Sequence, residues 1–112
     1  MHKVTLEALK ASIRKWDANA SAATPDDITT GADNCPLCVR FFMAHGSCDG
    51  CPVSKRTARP VCHGTPYYVA WGEKLAWRRA PKSDKLAISA RAACAEEAEF
   101  LRSLLPEGET VE

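Results

Sequence analysis

Two pairs of cysteines of the same form, Cys35-Pro-Leu-Cys38 and Cys48-Asp-Gly-Cys51, stand nine residues apart, and Cys62 follows after ten more. Two thiolates on one tight turn can bind the same ion, and a second such turn completes a tetrahedron, so this spacing constrains the chain more than any other feature. Pro36 and Gly50 suit those turns. The stretch that holds them, residues 33–64, has little long-range periodicity, and only Pro36 to Ala44, with Leu37, Phe41 and Phe42, reads as a short helix. Ordering backbone costs about 1–2 kcal/mol per residue, whereas a structural zinc contributes on the order of 10 kcal/mol to the folding of a small domain. The expectation is a metal-binding loop with zinc held by four of the five thiolates Cys35, Cys38, Cys48, Cys51 and Cys62. Arg40, Lys55, Arg56 and Arg59 would partly neutralise the charge of such a centre.

Other uses of the thiols compete. Four thiolates serve an iron–sulfur cluster as well as zinc, and Cys51-Pro52 repeats the Cys-Pro ending of some ferredoxin motifs. A disulfide framework fits poorly with a chain that lacks a secretion signal and is not dense in cysteine. A thioredoxin-like redox pair would need a βαβ setting that the sequence does not offer. The two Cys-x-x-Cys pairs come first as ligands, and Cys62 is either an alternative fourth ligand or a reserve thiol. His63 reads as an exposed loop residue, and Cys94 as a core thiol on the apolar stripe of a helix.

Around this loop the chain is helical. Strand alternation is absent, whereas Leu6, Leu9, Ile13 and Trp16 repeat at helical spacing over 4–20. Thr24-Pro25-Asp26-Asp27 suits a short capped turn. Thr65-Pro66 offers an N-cap and a first-turn proline for a helix over 65–80, with Tyr67, Tyr68, Trp71 and Leu75 on one face. Ser83 can cap a long helix over 83–105 whose apolar side carries Leu86, Ala90, Ala93, Cys94, Ala98, Leu101 and Leu105. The fold expected is mostly α, three main helices around an irregular Cys-rich loop with little or no β-sheet, in a single domain over 1–112.

The near-zero net charge hides a division: −1 over residues 1–34, +6 over 35–82 and −4 from Ser83 onward. Complementary packing of the charged segments explains it most simply; an anionic partner at the middle is the alternative. No run approaches the roughly 20 apolar residues of a membrane span. Lys3, Glu7, Lys10, Arg14 and Lys15 interrupt the apolar stretch that a secretory signal needs, so the N-terminus reads as the start of a mature cytoplasmic protein.

The succession CPLC, CDGCPV and CHGTPYYVAW, after an amphipathic helix and before a helix ending in EFLRSLL, resembles a group of small Cys-rich proteins of tailed bacteriophages and prophages. The resemblance runs from about Trp16 to Leu105 and is densest between Cys35 and Trp71. Members are similar in having five cysteines in this order and the Gly-Thr-Pro-Tyr that matches Gly64 to Tyr67. In many of them Thr-Gly precedes the last of the five cysteines; Thr57-Ala58 stands here, which argues against a turn needing φ > 0 at that point. The resemblance implies a phage origin and expression in the cytoplasm of a bacterial host, and it implies no reaction.

No catalytic constellation emerges. His2, His45 and His63 lack an i, i+4 partner, phosphate and dinucleotide loops are absent, and an all-Cys centre that is full has no open position. The chain is expected not to be an enzyme, a redox role with an iron–sulfur cluster excepted. Nucleic-acid binding has a basis in Lys55, Arg56 and Arg59 on the loop and in Tyr67, Tyr68, Trp71, Lys74, Arg78 and Arg79. Against it, the aromatics share an apolar face and the isoelectric point is only about 7.6. The favoured reading is a metal-stabilised module that binds a host or phage protein, with Trp77 and an exposed acidic face at Glu96, Glu97 and Glu99 as its handles.

Overall fold

The period read from Leu9, Ile13 and Trp16 becomes helix α1 (Lys3–Asn19), with all three side chains buried. The computed structural model describes residues 1–31, 34–59 and 62–111 and is all-α, with no strand among them. Two further long helices follow late in the chain, α4 (Tyr67–Arg79) and α5 (Asp84–Arg102). Ser83 caps α5 by accepting the Leu86 N–H at 3.2 Å. Just outside α4 the Thr65 hydroxyl accepts the Tyr67 N–H at 3.2 Å, but Pro66, not Thr65, is the cap. The helix thus starts one residue later than Thr65-Pro66 suggested, with the Pro66 carbonyl accepting the Ala70 N–H at 3.0 Å, and the missing proline N–H has no helical partner to lose.

Helix α5 is the centre of the frame and packs on both α1 and α4. Its buried stripe is Ala87, Ala90, Ala93, Cys94, Ala98 and Leu101. Side chains this small let both neighbours come close, so the bulk of the core is supplied from outside by Leu9, Ile13, Trp16 and Trp77. Polar ties fix the angles. The Arg102 guanidinium spans both oxygens of Asp17, joining α5 to α1, and Arg91 donates to the Ala22 carbonyl at 2.7 Å. Asn19, 1% exposed, holds the Thr29 N–H and carbonyl at 3.0 Å each, which seats the connection after α1. Within that connection a 3-10 turn, Pro25–Asp27, forms where Thr24-Pro25-Asp26-Asp27 suggested one, the Asp27 carboxylate accepting the Thr24 N–H at 3.1 Å.

The Cys-bearing segment is built from shorter pieces. Helix α2 (Pro36–Cys38) runs directly into a π-helical turn over Val39–Met43. The widened turn buries Phe41 and leaves Phe42 and Met43 exposed, and Arg40 donates to the Thr5 hydroxyl at 3.0 Å, tying it to α1. A second short helix, α3 (Pro52–Thr57), stands where an irregular loop was expected. It starts as α2 does, with cysteine at the cap and proline at the first helical position.

Three expectations for side-chain placement need correction. Trp77 is 2% exposed and lies beneath Arg91, whose guanidinium sits 5.2 Å from the ring, so it is no outward handle. The face of α4 is rotated instead: Ala70 and Trp77 point inward, while Tyr68 and Trp71 are 39% and 45% exposed. Glu97 is 3% exposed, so of the acidic trio only Glu96 and Glu99 form a solvated face. The three long helices also end a little inside the ranges 4–20, 65–80 and 83–105, most of all α5, where Ser103 and Leu104 already lie in a turn.

Candidate metal centre

The first Cys-x-x-Cys pair is a helix start. Cys35 is the cap of α2 in extended conformation, and the Cys38 N–H, three residues on, points at its sulfur at 3.5 Å. A cap and the third helical position lie over one another, which is why this spacing gathers two thiols. Hydrogen bonding from Cys38 lowers the Cys35 thiol to about 6, while the same contact and burial push Cys38 up.

The second pair uses a turn followed by a helix start. The Cys51 N–H donates to the Cys48 carbonyl at 3.0 Å. Gly50 has φ +87°, and a Cβ there would meet the Phe41 ring at 3.2 Å, so both conformation and space call for glycine. Cys51 then caps α3; burial raises its thiol. Cys62 is positioned from α4: the Thr65 hydroxyl donates to its carbonyl at 2.8 Å and accepts the Tyr67 N–H. This gives Gly64-Thr65-Pro66-Tyr67 a physical role. Gly64 turns the chain at φ +82°, Thr65 bridges the turn to the helix, and Tyr67 sets its ring edge-on against Trp16 at 5.8 Å. Burial pushes the Cys62 thiol up to about 12.

All five thiols line one cavity of about 210 Å³. Leu37, Phe41, Phe42, Val53, Tyr67 and Tyr68 make its apolar walls, and α1 and α5 close the opposite side with Ser12, Lys15, Trp16, Glu97 and Leu101. Among the described residues, however, no group of three or more His, Cys, Asp or Glu side chains is placed to hold a metal ion. The thiols ring a space and do not converge on a point. Cys94 is fully buried on α5 and is not among the cavity's lining residues; burial raises its thiol to about 11. No disulfide joins any of the six cysteines.

The cation facing this cavity is Lys15, not a residue of the loop. Burial lowers its pKa, against the pull of Cys35 and Cys38. Arg40 is engaged with Thr5, and Arg56 donates to the Ser103 carbonyl at 3.1 Å. Lys55 and Arg59 are exposed. The basic and aromatic residues of α4 do not form one face either. Lys74 donates to the Ile28 carbonyl at 2.6 Å, Arg78 lies 3.7 Å from Asp26, and Tyr67 is half-buried. His63 is exposed and stacks on Tyr68 at 5.3 Å.

Sequence reasoning missed Glu97 and Ser12 as cavity residues. Burial raises the Glu97 carboxyl to about 7. Its Oε1 and the Ser12 Oγ are both buried without a hydrogen-bond partner. The signal for both was periodicity: Ser12 stands in the series Leu9, Ser12, Ile13, Trp16, and Glu97 in Ala90, Ala93, Cys94, Glu97, Ala98, Leu101. No protein-family model, curated protein or solved structure matches the chain.

Proposed function

We propose that this chain is an iron–sulfur protein of phage type, a small helical module whose Cys-lined cavity holds a polynuclear cluster on thiolates among Cys35, Cys38, Cys48, Cys51 and Cys62. The observation that carries the reading is the cavity itself. A lone zinc at a bond length of about 2.3 Å draws four sulfurs to roughly 3.8 Å of one another. Five thiols line one space of about 210 Å³, and among the described residues no three of them meet at a single-ion site, an arrangement that suits an inorganic core of several irons and sulfides better than one ion. When bound, such a cluster exchanges single electrons. The chain's own part is to exclude water with Phe41, Val53 and Trp16 and to set the Lys15 ammonium against the anionic thiolates.

The role that follows is redox or sensing, read out by a protein partner of host or phage in the bacterial cytoplasm. Phe42 and Tyr68 belong at once to the cavity wall and to the exposed surface. Gain or loss of the cluster is therefore felt at an aromatic surface that a partner can read.

The test is elemental and sulfide analysis with an absorption spectrum on protein purified without oxygen. Iron and sulfide with a brown chromophore are expected. One colourless equivalent of zinc would overturn the cluster and restore a structural zinc module.

A further inference from the structure

Helix α5 brings a carboxylate to the thiol-lined cavity that no cysteine motif announces. Glu97 lies on the inner stripe of α5, 3% exposed, and faces the cavity with Oε1 lacking any hydrogen-bond partner. Among the described residues no ammonium or guanidinium lies within ion-pair distance of it, Lys15 included. Buried polar atoms in native proteins are almost always satisfied, and a carboxylate is among the most costly to leave alone. Its surroundings name what would satisfy it. Cys35, Cys62 and Lys15 stand within electrostatic reach, and since Lys15 is not close enough to pair with it, a cation that thiolates and a carboxylate can share would satisfy Glu97.

We infer that Glu97 is a ligand of the centre and gives one of its irons an oxygen donor; the inference rests on the iron–sulfur reading. Each iron of a cubane cluster has one outward position. With Glu97 on one of them, three thiolates serve the rest, and the described structure presents thiols from three places: the Cys35–Cys38 helix start, the Cys48–Cys51 turn and Cys62. The carboxyl proton leaves to solvent as the oxygen–iron bond forms, and no electron moves. An oxygen-bound iron is also the one most readily released, since carboxylate is the poorer partner for iron in a sulfur-rich site.

Glu97→Gln keeps the side chain's shape and removes its ability to ligate. The experiment loads wild type and Glu97→Gln with iron-57 and sulfide under anaerobic conditions, then measures iron and sulfide content and the Mössbauer spectrum, with far-ultraviolet circular dichroism to confirm helix content. Expected are a wild-type spectrum with one iron distinct from the others, and a variant that holds about three irons where wild type holds about four and lacks the distinct signal. Glu97→Cys is expected to restore the count with a uniform spectrum. A Glu97→Gln protein with wild-type iron content and an unchanged spectrum overturns the assignment and leaves the cluster standing. If Glu97→Gln does not fold, a wild-type spectrum in which all irons are equivalent overturns it as well. Wild type that takes up no iron and sulfide removes the cluster and the Glu97 ligand together.

Discussion

The frame of α1, α4 and α5 and the Cys-bearing segment between α1 and α4 are built on different principles. In the frame, helices of 13 to 19 residues bury apolar stripes against one another, and hydrophobic contact suffices to hold them. In the Cys segment, α2 and α3 have 3 and 6 residues, too few to be stable as isolated helices. What organises them is cap geometry that sets the cysteines on the cavity, together with Leu37, Phe41 and Val53, which are buried in the same core as the frame. The non-glycine residues at positive φ among those described, Ala58 and Cys62, also fall in this segment. The frame's helices are long enough to lean on their own burial, and under the proposed reading the cluster would hold the segment in place.

If the thiols hold the proposed cluster, removing it is the widest way to open that difference. Structural zinc on thiolates contributes on the order of 10 kcal/mol in small domains, and a cluster held by several thiolates is likewise expected to outweigh any single contact of the frame. Stripping the centre, or the change Cys51→Ser, is expected to abolish amide-exchange protection over Pro36–Met43 and Pro52–Thr57 while α1, α4 and α5 retain theirs. Hydrogen exchange followed by mass spectrometry reads this directly. Uniform loss of protection across both regions would show that the frame depends on the centre too, and the comparison would dissolve.

A smaller effect tests how the frame is turned. Trp77→Ala should cost about 3–5 kcal/mol as a core truncation, and Trp71→Ala should stay within about 0.5 kcal/mol, both from urea unfolding midpoints. The reverse order would mean that α4 presents the aromatic stripe to the core. The sequence invites that reversal. Helix positions were legible because capping residues and period agree: Ser83, Thr65-Pro66 and the Leu9–Ile13–Trp16 series each lie at or near the observed boundaries. Face was not legible in α4, because Tyr67, Tyr68, Trp71 and Leu75 outweigh Ala70 in any reading by size, although Ala70 is fully buried on a helix that packs against α5.

The same reasoning explains what was seen and missed at the site. The two Cys-x-x-Cys units could be recognised because a spacing of three is itself the geometry that places two sulfurs together. Helix α3 was legible in principle, since Cys51-Pro52 repeats the start made by Cys35-Pro36. Glu97 and Ser12 were hidden by residue type: a carboxylate between two others, Glu96 and Glu99, reads as surface until its place on the stripe is counted. Residue type supports a solvated face there, period supports an inner position, and burial decides for period.

The smallest effect concerns the strain stored in the Cys segment. Helix α3 ends with Ala58 at φ +57°, its N–H donating to the Ser54 carbonyl at 2.8 Å, while the Thr57 hydroxyl accepts the Arg59 N–H at 3.2 Å. This left-handed stop is the one glycine makes without a Cβ penalty, and an L-residue there loses roughly 1–2 kcal/mol. Ala58 is exposed, so its methyl has no core contact to forfeit. Part of the relief is offset by the greater freedom of glycine in the unfolded chain. Ala58→Gly is therefore expected to stabilise by about 0.5–1 kcal/mol, seen as a raised urea midpoint with an unchanged slope. Because α3 carries Cys51 at its start and this turn at its end, the gain should appear with the centre filled and shrink once the metal is stripped. An equal gain in both states would place α3 with the frame, folded by its own contacts and independent of the thiols it supports.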